Sequence, residues 1–442
     1  MDPTKTIQME ELAQYRQAYE RNAISRIVTR AVSKTGINDA CYDLEHAKLM
    51  NHKFSVEVPT LGAANQKSSG RCWIFAALNL LREKIAKDLN LEKFELSQNY
   101  ISFFDHLEKA NSFLEHIIET ADRPTEDRYV DHILKSPVGD GGWWEFFVGL
   151  CCKYGVVPQE AMPETQQSSN SASMNMLLNM QLREDALVLR REVNAGADAA
   201  ALTALKHEML SRVYNILAIC LGNPPEHFDF EYVDKDKKYH LERNLTPHTF
   251  YAKYIGRDLQ NIVSLLNAPT PKKPFYQTYV IDHEESVYGT SPVKSLNVPI
   301  DELKAAVIRQ LEGGDLVWFA CDCHPYGNRD EGIWDTGLYD YETPFGLELR
   351  MDKGELLDHR QSAPNHAMLL TGVNLVDGKA DKWKIENSWG TEKANKGYYI
   401  MSDAWFDRYI YFASIDQKYL TERQRELYRQ EPVALDPWDV LA

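Results

Sequence analysis

The chain has 442 residues, 44% of them hydrophobic and 26% charged, which is enough for a sizeable core or for two or three packed subdomains. Its formal net charge of -16 sets up a field that repels phosphates and anionic lipid, so nucleic acid is an unlikely partner and a membrane surface is not expected. There is no apolar run of about 18 residues and no basic start followed by an apolar core, so neither a membrane span nor a secretion signal is expected.

Residues 1–60 alternate helix-like segments with extended ones such as "KFSVEVPTL" and read as an arm or cap. From Cys72 onward, Ile74, Phe75, Leu78, Leu81 and Ile85 recur at helical spacing, which places Cys72 near a helix N-terminus within a lobe spanning 61–160. "WWEFFVGLCCKYGVV" predicts a second helix in that lobe, entered through Gly141 and Gly142 and left through Gly155. The polar and charged composition of 161–299 reads as an inserted, largely helical region. After Pro299, "DLVWFACDC", "HAMLLTGVNLV", "KWKIENSW", "GYYIMS" and "RYIYFASI" predict strands of a β-rich lobe over 300–430, followed by a terminal arm at 431–442.

A thiol at a helix N-terminus becomes a nucleophile when an imidazole is brought beside it. His366, in a strand, and Asn387, on the next strand, supply an acid/base and a group to orient it. Gln66, six residues before Cys72, can set its side-chain amide beside the backbone N–H of Cys72, giving two donors to a developing oxyanion.

Other candidates carry less. Cys321 and Cys323 share one face of a strand and read as core filling, and Cys151 and Cys152 sit in an apolar helix where burial is expected. "DKDKKYH" lacks the glycine and terminal glutamate of a calcium loop, and His207-Glu208 and His283-Glu284 lack the second histidine of a zinc helix. No metal and no cofactor is expected. Seven scattered cysteines, an odd count, argue against a disulfide framework and for a reducing compartment such as the cytoplasm.

In chain order, "NQKSSGRCWIF", "NHAMLLTGV", "IENSWG" and "GYY" resemble the cysteine, histidine and asparagine blocks of papain-like cysteine peptidases. "GDGGWWEFFVGLCCKYGVVPQEAMPE", "DKKYHLERNLTP" and the C-terminal "PWD" narrow the resemblance to the aminopeptidase C and bleomycin hydrolase family. It implies an α+β papain-like fold: a helical lobe, a β-rich lobe, a cleft between them and a large helical insertion.

By the same resemblance Cys72 is the nucleophile, His366 the acid/base, Asn387 its orienter, Gln66 the oxyanion donor and Trp389 an indole shielding the histidine-asparagine bond. Trp73 and Asn365, the neighbours of Cys72 and His366, are supporting residues. Gly141 and Gly142 match the paired glycines along which an extended peptide substrate lies, with Trp143 and Trp144 bordering the adjacent pocket. Ser69 and Gly139 stand where secreted relatives carry a disulfide.

The 294 positions between Cys72 and His366 contain the insertion, which in this family helps to build a homohexamer enclosing the active sites. The family's C-terminal arm lies in the cleft and presents a terminal carboxylate, here that of Ala442, to the substrate's amine. After Trp438 and Asp439 the tail is shorter than in the family's aminopeptidases and is similar to that of its lactobacillar-type endopeptidases. Two activities are therefore expected of the same site, aminopeptidase trimming of short peptides or internal cleavage; a nucleic-acid-binding or inactive scaffold is the remote alternative.

Overall fold

Helix Cys72–Asp88 is buried without a break from Trp73 to Arg82. A helix apolar on every side must be surrounded, and this one packs against strand His366–Val376 as well as helices Gln98–Glu119 and Trp144–Tyr154. The computed structural model describes residues 5–290 and 292–442.

Within them, one mixed sheet runs in the order Val433–Leu435, Thr278–Ile281, Lys294–Asn297, Ile262–Leu266, Ile410–Asp416, Val317–Cys321, His366–Val376, Lys379–Glu386, Tyr398–Ser402, Ile333–Trp334 and Gly327–Asn328. The short strand Val56–Glu57 adds to His366–Val376. Side chains alternate across the sheet: Trp318, Ala367 and Leu369 join the helical core, whereas Phe319, Met368 and Leu370 join a second core with helix Ile300–Glu312.

The segment 161–299 is helical in its first part, where Ala172–Asn194 and Ala199–Leu221 pack on each other and on Gln98–Glu119. Its second part departs from the helical expectation. Phe228–Val233 and Tyr239–Leu245 form a two-stranded ribbon, and Ile262–Leu266, Thr278–Ile281 and Lys294–Asn297 are strands of the main sheet. "IVSLL" and "TYVI" are short, β-branched and almost wholly buried, as interior strands require.

Helices Met9–Arg21 and Ala23–Thr35 bury no residue and leave Met9, Tyr15, Tyr19, Ile24 and Ile27 exposed. No helix among the described residues is long and apolar enough to cross a membrane. All seven cysteines are free; Cys151, Cys321 and Cys323 are buried, but Cys152, expected inside, faces outward from its helix. At the other end, strand Val433–Leu435 pairs in parallel with Thr278–Ile281 and directs the last residues towards the cleft.

Candidate active site

Cys72 is the first residue of its helix, so the unpaired N–H groups and the positive end of the helix dipole surround its thiol. The turn before it is tied to itself and to its neighbours. Ser69 Oγ donates to the Gln66 carbonyl at 2.7 Å, and Arg71 donates to Ser69 Oγ at 3.0 Å and forks onto Glu164 at 3.0 and 2.7 Å.

Gln66 is buried, and both ends of its side-chain amide are engaged. Its Oε1 accepts the Ser388 hydroxyl at 2.6 Å, and its Nε2 donates to the Ser69 carbonyl at 2.6 Å. That leaves one N–H of Nε2 for the cleft, which Gln66 lines together with Cys72.

His366 opens its strand opposite Cys321 and hydrogen-bonds through Nε2 to Asn387 Oδ1 at 2.9 Å, leaving Nδ1 for the thiol. Trp389 stacks on the imidazole with ring centroids 4.9 Å apart, and the Arg329 guanidinium covers the indole at 4.4 Å. Asn365 acts on the loop beside the histidine: it accepts the Cys323 N–H at 3.0 Å and donates to Asp322 Oδ1 at 2.6 Å.

Burial pushes the Cys72 thiol above its ordinary value, opposed by the backbone N–H groups of Ala367, Trp73 and Cys72 itself. Burial also lowers the His366 imidazole to about 4, opposed by Asn387 and reinforced by Arg329 and His324. Each charge is costly alone. Moving the thiol proton to His366 creates both at once, and their attraction inside a poorly solvated cleft offsets much of that cost.

A cavity of about 710 Å³ joins these groups: Cys72, His366, Gln66, Asn365, Gly141, Gly142, Trp143, Trp438 and Ala442 all line it. The two glycines are not equivalent. A Cβ on Gly141 would meet nothing within 4 Å, but one on Gly142 would lie 2.5 Å from the Trp73 indole, so Gly142 makes room for Trp73. Trp143 borders the cleft and packs on Phe412; Trp144 does not, being buried with its N–H donated to the Ile262 carbonyl at 3.3 Å.

The terminal arm enters the same cavity. Lys273 Nζ holds Asp439 at 2.9 Å, Leu441 is buried, and Trp438 lies beneath the Arg128 guanidinium at 4.0 Å. Ala442 is thereby placed on the wall of the cleft that holds Cys72.

A thiol, an oriented imidazole and an unused amide donor in one cleft are the parts that nucleophilic attack on an acyl carbon requires. The Peptidase C1-like family model matches residues 6–442. The chain belongs to the Peptidase C1-like family. As a Peptidase C1-like chain it is a cysteine-type peptidase, and its relatives are alike over their whole length. It is 44% identical over 430 residues to Aminopeptidase C of Listeria monocytogenes serovar 1/2a, covering 97% of each chain. With Aminopeptidase C of Lactobacillus helveticus it shares 41% identity over 438 residues, covering 98% of each. The crystal structure of pepW from Lactobacillus rhamnosis HN001 has the same fold, with a TM-score of 0.98, 43% identity and 99% of each chain covered.

Three contributors to this Peptidase C1-like site escape sequence reasoning. Ser388 orients Gln66; Arg71, directly before Cys72, clamps Glu164; and Lys109, 32 positions before Gly141, donates to the Gly139 carbonyl at 2.9 Å and to that of Gly141. The only signal available for Ser388 and Arg71 was adjacency to Asn387 and Cys72, and Lys109 offered none, because a lysine on an amphipathic helix normally faces solvent.

Proposed function

We propose that the protein is a cysteine aminopeptidase that removes residues from the N-termini of short peptides. The observation that carries this reading is the placement of the chain's own C-terminus, Ala442, in the cavity lined by Cys72 and His366. An arm there occupies space that residues upstream of the scissile bond need, and its carboxylate attracts an ammonium group by ~1 kcal/mol in a wet cleft. The name Aminopeptidase C borne by relatives at 41% and 44% identity supports the same activity.

His366 Nδ1 takes the thiol proton as Cys72 Sγ attacks the carbonyl carbon, and the tetrahedral oxyanion sits between Gln66 Nε2–H and the Cys72 backbone N–H. His366 returns the proton to the leaving amine, leaving a thioester on Cys72. Water, deprotonated by the same imidazole, then attacks the thioester and frees the acid and the thiol.

Mass spectrometry of one unstructured peptide, N-terminally free or acetylated, digested by the wild type and by Cys72→Ala, tests this. A stepwise ladder that needs both the free amine and Cys72 is expected. Internal cuts that tolerate acetylation would instead make the protein an endopeptidase.

Two further features belong to this proposal. The exposed apolar residues of helices Met9–Arg21 and Ala23–Thr35 support the homohexamer that the resemblance implies, and light scattering giving the mass of six chains is expected. Seven free thiols support a reducing, cytoplasmic site of action, to be checked by fractionation.

A further inference from the structure

The residue before the glycine pair, Asp140, reaches back beneath the turn that carries the nucleophile. Its Oδ2 accepts the Gly70 backbone N–H at 2.7 Å and also the Ser171 hydroxyl. Its Oδ1 accepts Asn175 Nδ2 at 2.7 Å and lies 3.4 Å from His106 Nε2. Its own backbone carbonyl accepts the Trp73 indole N–H at 2.7 Å. One residue thus holds Gly70 on one side of Cys72 and Trp73 on the other.

The approach is close enough to dictate sequence: a Cβ on Gly70 would lie 2.9 Å from Asp140 Cβ. It is also braced from behind. His106 is buried, with Nδ1 2.8 Å from the Ser102 carbonyl and Nε2 2.9 Å from Asn175 Oδ1. Both ring nitrogens face acceptors, so both carry protons and the ring is an imidazolium. Burial pulls His106 down, but the carboxylates of Asp140 and Asp105 outweigh it, and Asp140 is held well below the usual carboxylate range. A buried ion pair with every partner satisfied is rigid.

The helix that starts at Cys72 has no such brace of its own, because its N-cap, Arg71, makes no side-chain capping bond. We infer that Asp140 is a positioning residue of the peptidase, fixing Gly70 and Trp73 so that the Cys72 thiol and backbone N–H stay aligned with the carbonyl under attack. The inference rests on the cysteine-peptidase reading of the site. Asp140 also carries a cost, since its negative charge opposes the thiolate. Its benefit therefore lies in geometry.

The test compares wild type, Asp140→Ala and Asp140→Asn in three measurements: hydrolysis of an aminoacyl amide, affinity for a peptide aldehyde, which forms a tetrahedral adduct on the thiol, and thermal melting. Asp140→Ala is expected to lose kcat by about 100-fold, as removal of an oxyanion donor does, with KM within about threefold and aldehyde affinity falling in step with kcat. Asp140→Asn keeps an oxygen for the Gly70 N–H but sets its amide nitrogen against the donors of Asn175 and His106, so it should fall between the two. Should the alanine variant not fold, Asp140→Asn against wild type decides: kcat and aldehyde affinity must drop together, and unchanged values overturn the inference. A folded Asp140→Ala with wild-type kcat, or with undiminished aldehyde affinity, overturns it as well. A wild type lacking Cys72-dependent hydrolysis would instead sink the functional reading on which it rests.

Discussion

Ser388 and Gln66 hold each other twice: the Gln66 N–H donates to the Ser388 carbonyl at 2.8 Å, and the Ser388 hydroxyl donates to Gln66 Oε1 at 2.6 Å. The acceptor-only Ser69 carbonyl, 2.6 Å from Nε2, settles which end of the Gln66 amide is nitrogen, and the Ser388 hydroxyl holds the oxygen end in place. Gln66→Ala should lower kcat by about 100-fold, and Ser388→Ala by severalfold because the amide can then rotate. Steady-state kinetics of the double variant provide the check: it should be no slower than Gln66→Ala alone, whereas additive losses would mean that Ser388 acts elsewhere.

Asn387 holds the ring of His366 at 2.9 Å through Nε2, and its Oδ1 also accepts the Ser388 N–H at 2.8 Å. Asn387→Ala releases the imidazole to turn away from Cys72. We expect kcat to fall roughly 10- to 100-fold with KM little changed, within the range that general acid-base catalysis contributes. An unaltered kcat would show that Trp389 alone suffices to hold the ring.

His366 ties stability to pH. Burial lowers its imidazole to about 4 in the folded chain, against about 6.5 in the unfolded one. Between those values the unfolded chain binds a proton that the folded chain refuses, so the contribution of His366 is complete above about pH 6.5 and is lost as pH falls towards 4. Its size is at most about 3 kcal/mol. Urea unfolding of wild type and His366→Gln at pH 7 and pH 4.5 should show the wild type losing more stability on acidification, whereas parallel losses would contradict the shift.

Gly141 and Gly142 should separate cleanly on substitution. Gly142→Ala forces a methyl to 2.5 Å from the Trp73 indole, an overpacking expected to cost about 1–3 kcal/mol and lower the melting temperature. Gly141→Ala meets nothing within 4 Å and should melt like the wild type, its effect confined to a raised KM as the methyl enters the cleft. Calorimetry and kinetics on the two variants distinguish these outcomes.

The terminal arm is held in place by the bond between Lys273 and Asp439 and by buried Leu441. Lys273→Met should loosen the arm without removing it. A weakened preference for free over acetylated N-termini is expected, measured as the ratio of kcat/KM for paired peptides. Deleting residues 440–442 should weaken it further; if neither change moves the ratio, Ala442 does not govern specificity.

The chemistry of the site was legible in the sequence because it resides in residue types in a fixed order. A cysteine opening an apolar helix, a histidine and an asparagine on successive strands and a glutamine six residues before the cysteine name the parts wherever the chain goes; the structure brings Cys72, His366 and Gln66 to one cleft, and Asn387, just past the end of its strand, hydrogen-bonds His366 at 2.9 Å. The apolar stripe after Cys72 and the strands after Pro299 were legible for a similar reason, since periodicity is local. Gly155, at φ 73°, ends its helix where the sequence places the exit.

What the sequence could not determine depends on contacts between distant segments. Polar composition concealed the strands at 262–297, whose burial comes from the sheet they join and not from their own pattern. The requirement for glycine at 142 is set by an indole 69 positions away, and Trp143 and Trp144, equivalent on paper, diverge because successive side chains at a helix entrance point in different directions. The supports of the site, Ser388 on Gln66 and Asp140 under Gly70, rest on hydrogen bonds of 2.6 and 2.7 Å across 322 and 70 positions of chain. The sequence by itself determined which atoms can react, since that is a property of side chains; only the tertiary structure decided which are held in line to do so, because alignment is a property of the space between them.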